Sequence, residues 1–196
     1  MTTDNFKKHS SKNPLQRFLI DKFLDALIAE TEALHPEKVL DAGCGEGFTL
    51  EKLRQCAVGQ TLVGVDIQQR AIGLGHEIHP HLDMQQGSVY ELPFKDNVFD
   101  AVICSEVLEH LEDPGKALNE LARVTKRYII ITVPNEPFFR LANFLRGKNM
   151  SRWGNDIEHI QHWSSRGIAE FVRKEFEVIK IRTPFPWTII VGEKRI

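Results

Sequence analysis

Cysteine is scarce: Cys44, Cys56 and Cys104 are the only three in 196 residues. Their odd number and scattered spacing exclude a disulfide framework and a cysteine-built zinc site. Each reads as a reduced thiol acting as a small buried hydrophobe. Long apolar runs are missing as well, and no stretch approaches the ~20 residues of a membrane span. The opening stretch MTTDNFKKHSSKNP is polar throughout, without the apolar segment of a secretory signal. An excess of one charge is also absent, with 25 Lys and Arg against 27 Asp and Glu and a net charge of −2. That balance leaves no broad electrostatic footprint for nucleic acid or for an anionic membrane, and counts against both as partners. Repeats and low-complexity linkers are lacking too. These absences together lead to the expectation of a cytoplasmic, single-domain protein over residues 1–196, which leaves its oligomeric state open.

The residues present organise the chain as α/β. KVLDAG, TLVGVD, FDAVICS and YIIITVP are nearly continuous apolar runs, the pattern of strands buried on both faces of a parallel sheet. Between the last two, Ala117, Leu118, Leu121 and Val124 share one helical face. In the N-terminal helical segment (1–35), Leu15, Phe18, Leu19, Phe23 and Leu27 mark another amphipathic helix. Ser164 reads as the N-cap of a final helix carrying Ile168, Phe171 and Val172, followed by closing strands FEVIKI and WTIIVG. The alternation predicts a Rossmann-like, doubly wound, mostly parallel seven-stranded sheet with helices on both faces. Residues 135–163 interrupt the pattern with five aromatics (Phe138, Phe139, Phe144, Trp153 and Trp163), and read as a cap-like insertion at the end of a strand.

The residues with the clearest chemistry lie in VLDAGCGEGFTL (39–50). A buried strand ends at Asp41, and Gly43, Gly45 and Gly47 follow on alternate positions before a helix. Glycines there let backbone N–H groups approach a ligand at the helix N-terminus. The next strand ends in Asp66, 19 positions beyond Gly47. That offset is close to the ~20 residues at which an acid reaches the ribose hydroxyls of a nucleoside cofactor. Asp41 and Glu46 flank or interrupt the glycines. Such acids would repel a pyrophosphate and suit a ligand bearing an ammonium and a sulfonium.

VLDAGCGEG, VGVD and GSVYELPFKDNVFDAVICSEVLEHLEDP, in that order over about residues 38–134, resemble the motifs of class I S-adenosylmethionine-dependent methyltransferases, in the branch that methylates small molecules. The resemblance implies S-adenosyl-L-methionine as cofactor. It implies that Asp41, Gly43 and Gly45 face its amino-acid part, that Asp66 holds the ribose, that Ser88 and Val89 lie by the adenine, and that Cys44 and Ile67 belong to the same cofactor-binding set. Ser105 completes the implied cofactor set. Many relatives carry aspartate where Ser88 stands, which shifts the adenine contact here toward backbone groups.

SEVLEHL holds a second constellation. Glu106, Glu109 and His110 have i, i+3, i+4 spacing, which on a helical turn places them on one face. His159 and His162 follow in IEHIQHWS. Two carboxylates with one or two imidazoles suit either a divalent metal ion or a general-base cluster. The Glu-x-x-Glu-His segment, with His159 four residues before Trp163, resembles metal-binding small-RNA 2′-O-methyltransferases; some quinone-pathway O-methyltransferases share the first part. The expected activity is methyl transfer from S-adenosylmethionine to a small-molecule acceptor, at oxygen. The alternatives are a metal-assisted RNA 2′-O-methyltransferase, a non-catalytic methyltransferase-like module and, more distantly, an NAD-dependent oxidoreductase.

Overall fold

The computed structural model describes residues 3–136 and 160–195. Its strands are β1 (Lys38–Ala42), β2 (Thr61–Asp66), β3 (Asp83–Gln86), β4 (Phe99–Ser105), β5 (Thr125–Pro134), β6 (Phe176–Arg182) and β7 (Trp187–Lys194). The helices are α1 (Asp4–His9), α2 (Pro14–Glu32), α3 (Phe48–Gln55), α4 (Gln69–Ile78), α5 (Pro114–Val124) and α6 (Ser165–Val172). All seven strands join one sheet in the order β3-β2-β1-β4-β5-β7-β6. Pairing is parallel from β3 through to β5, and β7 runs antiparallel to both β5 and β6. The sheet is therefore mixed, with its parallel part where the apolar runs predict it.

Those runs are buried on both faces because alternate side chains serve opposite layers. Ile129, Ile131 and Val133 pack with Leu118 and Leu121 of α5 and Ile168 and Val172 of α6. Ile130, together with Val39, Ile103 and Ile189, packs with Phe23 and Leu27 of α2 and Leu50 and Leu53 of α3. Each such side chain, fully enclosed, contributes about 1.5–3 kcal/mol relative to exposure.

Two expectations change in detail. Leu15 and Phe18 are more than half exposed (58% and 56%) although they belong to the apolar stripe of α2. The face that packs runs through Ile20, Phe23, Leu27 and Thr31 at helical spacing, and Leu15 and Phe18 fall off it. β3 gave no strand signal, because DMQQ is short and polar and buries only Met84. It joins the sheet through its backbone, in register with Val63–Asp66 of β2. Of the expected cap at 135–163, residues 137–159 lie outside the described residues. Its two ends are held close to the sheet: Asn135 N–H donates to Pro186 O, and Ile160 and Gln161 N–H both donate to Glu109 O.

Candidate active site

The strand order reverses between β1 and β4, and the candidate residues gather beyond the carboxyl ends of the strands at that switch point. After β1 the chain turns back over β2, where Gly43 N–H and Cys44 N–H both donate to Val65 O at 2.7 and 3.0 Å. Gly43 (φ +90°) and Gly45 (φ +54°) take left-handed backbone angles. A Cβ on Gly43 would run into Val107, so the turn closes only with glycine there.

Asp66 is oriented by two backbone donors: Gly45 N–H reaches its Oδ2 at 2.8 Å, and Gln68 N–H reaches its Oδ1 at 2.8 Å. Each oxygen keeps a lone pair for a further donor. Asp41, on the neighbouring strand, is 1% exposed, and its Oδ1 has no hydrogen-bond partner among the described residues. Burial pushes its pKa up to about 7, with the Asp66 charge adding to the effect. A buried, half-satisfied carboxylate beside a backbone-lined turn is the arrangement an ammonium group would complete. Cys44 is buried, and burial pushes its thiol far above the ordinary range. Ile67, an apolar side chain just past Asp66, is 66% exposed. Ser88 and Val89 follow Gly87, whose N–H donates to Asp66 O, so this loop stands against the end of β2. Ser105 ends β4 with its Oγ 2.9 Å from Thr132 Oγ1.

The residues expected to hold the cofactor stand at the ends of neighbouring strands, and those of the second constellation come together only in part. Glu106 leaves β4 with φ +59°, and the helical turn that follows is a single 3₁₀ turn, Leu108–His110. The common helical face for Glu106, Glu109 and His110 is therefore not formed: Glu109 is buried (1% exposed) and His110 is exposed. Glu106 Oε2 accepts Trp187 Nε1–H at 2.7 Å and stands 3.9 Å from Lys8 Nζ. Neither oxygen of Glu109 has a hydrogen-bond partner among the described residues. Burial raises both carboxyls; Glu106 adds to the rise of Glu109, and Lys8, Trp187 and His110 pull Glu106 back down.

The described residues of the expected metal set do not by themselves gather around a metal ion. Among the described residues no three His, Cys, Asp or Glu groups are placed to hold one. An ammonium already stands beside Glu106, and His159 lies outside the described residues.

The polar N-terminal segment gave no functional signal in the sequence, yet α1 lies across this site. Thr3 Oγ1–H and Asn5 Nδ2–H donate to the two oxygens of Glu46, and Lys8 reaches Glu106. Glu46 is consequently enclosed (0% exposed) and engaged by α1, where its position among the glycines suggested an open charge. Thr3 capping Phe6 N–H is the only local hint that a helix begins there.

Residues 40–131 match the family model described as a methyltransferase domain. That stretch, a little under half of the chain, is similar to the methyltransferase domain of S-adenosylmethionine-dependent methyltransferases. Among its relatives, a probable S-adenosylmethionine-dependent methyltransferase of Mycobacterium tuberculosis is 31% identical over 103 residues, covering 52% of this chain and 37% of the relative. The ubiquinone biosynthesis O-methyltransferase of Aromatoleum aromaticum is 30% identical over 130 residues, covering 64% of this chain and 51% of the relative. The chain thus spans about half or less of the length of these relatives. Magnesium protoporphyrin IX methyltransferase from Synechocystis, solved with bound SAH, superposes with a TM-score of 0.72 at 19% identity, over 98% of this chain and 92% of that one. Among the described residues no helix is long and apolar enough to cross a membrane.

Proposed function

We propose that this methyltransferase moves the methyl group of S-adenosylmethionine to an oxygen of a small-molecule acceptor. The observation that carries the cofactor half is the pair Asp41 and Asp66 at the ends of adjacent strands. Asp41 is buried with an open oxygen, and Asp66 is aimed by two backbone N–H groups. In this reading Asp41 takes the cofactor's ammonium over the backbone of Gly43, Cys44 and Gly45, and Asp66 takes the ribose hydroxyls. Ser88 and Val89 would lie by the adenine, and Ile67 and Ser105 would complete the set that holds the cofactor. The sulfonium is already an activated donor, so the protein's task is alignment and exclusion of water.

On the acceptor side, the reading gives Glu106 and Glu109 the proton of the attacking hydroxyl. Two buried carboxyls this close resist joint ionisation, and the raised pKa makes the ionised one a stronger base. His110 stands at the mouth. The similarity to an O-methyltransferase supports oxygen as the acceptor atom. Incubating the protein with methyl-tritiated S-adenosylmethionine and a panel of phenols, aliphatic alcohols, amines and a short RNA tests it. Label in a hydroxyl compound supports the proposal; label only in amines or RNA, or in nothing, removes it.

A further inference from the structure

We propose that α1 is a roof over the cofactor turn, latched through Thr3 and Asn5 to Glu46, and that it swings aside whenever the cofactor enters or leaves. The inference rests on the cofactor reading above and concerns a helix outside the glycine turn.

Independent contacts place α1 across the site. Asn5 Nδ2 stands 2.8 Å from the point a Cβ on Gly45 would occupy, so this side chain covers the backbone that the turn leaves bare. The same amide donates to Glu46 Oε2 at 2.6 Å, and the Thr3 hydroxyl takes the other oxygen. A carboxylate with no exposed surface thus draws its side-chain partners from a separate helix. One turn further on, the His9 ring stacks on Phe48, the first residue of α3, with centroids 4.3 Å apart and planes 12° from parallel. Lys8 then extends toward the acceptor side, 5.4 Å above the Trp187 ring and 3.9 Å from Glu106.

α1 therefore reaches from the cofactor turn to the acceptor wall. It has six residues, too few to hold helical form without its contacts, and the segment 10–13 joins it to α2. A ligand that touches the Gly45 backbone must pass Asn5. The latch has to release first, and it closes again over the bound molecule.

A roof and a fixed wall differ in kinetics. If opening limits both entry and exit, loosening the latch speeds both; a lost contact to the ligand would speed exit alone. Stopped-flow binding of SAH, followed by tryptophan emission with Trp187 beneath Lys8 as reporter, separates them. The variant Thr3→Ala/Asn5→Ala removes two hydrogen bonds to a charged group. Association and dissociation rates should both rise by about tenfold or more, with Kd moving less than about threefold. Glu46→Gln, which loosens the latch from the other side, should move both rates in the same direction by less. Dissociation rising alone, or both rates unchanged, would overturn the roof while leaving the cofactor reading in place. Wild-type protein that fails to bind SAH would overturn both.

Discussion

Asp41 joins the two requirements the site places on one residue. It ends a buried strand, so the fold must hide it, and it keeps one oxygen without a partner. Its pKa of about 7, against the usual 3.8, means the folded protein binds a proton there between roughly pH 4 and pH 7 that the unfolded chain does not. Stability conferred through this group is therefore fully present on the acid side and is lost as pH rises through that window. Asp41→Asn removes the penalty of ionising. The variant should unfold at a higher temperature than wild type at pH 8, with the difference shrinking as pH falls and gone only near pH 4, as read by thermal denaturation. It should at the same time bind S-adenosylmethionine more weakly, since the ammonium loses its counter-charge. Equal melting temperatures at pH 8 would show that Asp41 is not the buried charge argued here. Asp41, Asp66 and the glycines were legible because their chemistry is compressed into two short strand ends. Lys8, Asn5 and Trp187 were not: each meets its site partner only across the fold, at separations of 41 residues for Asn5–Glu46 and 81 for Glu106–Trp187.

Among the elements, legibility followed burial. β1, β2, β4, β5 and β7 are enclosed and read as apolar runs, whereas β3 is held by backbone pairing that its side chains do not announce. The turn after β4 misled for another reason. The i, i+3, i+4 spacing of Glu106, Glu109 and His110 implies a helix, but a left-handed residue at Glu106 and one 3₁₀ turn take its place. The helix that follows is α5, begun by Asp113, whose Oδ1 accepts Lys116 N–H at 3.0 Å ahead of Pro114 at the first position. Asp113→Ala should cost about 1 kcal/mol in chemical denaturation, the usual worth of an N-cap. Because α5 packs under β4 and β5, a loss well above that would mean the cap also braces the turn that carries Glu106 and Glu109.

At the scale of the molecule, the carboxyl ends of four neighbouring parallel strands deliver Asp41, Asp66, the Ser88 loop and Ser105 to one edge. α1 then crosses that edge from the cofactor turn to Glu106. The sheet was predictable from the alternation of apolar runs and helical faces, and its antiparallel β7 closes the side away from the cofactor turn. The central claim is that this edge binds S-adenosylmethionine through Asp66 and the glycine turn. Isothermal titration calorimetry tests it most directly, on wild type and Asp66→Ala with S-adenosylmethionine and on wild type with NAD. The account predicts saturable one-to-one binding of S-adenosylmethionine, weakened by roughly 1.5–3 kcal/mol in Asp66→Ala, as for lost bonds to a charged group. Unchanged affinity in the variant, or tighter binding of NAD by the wild type, would contradict it.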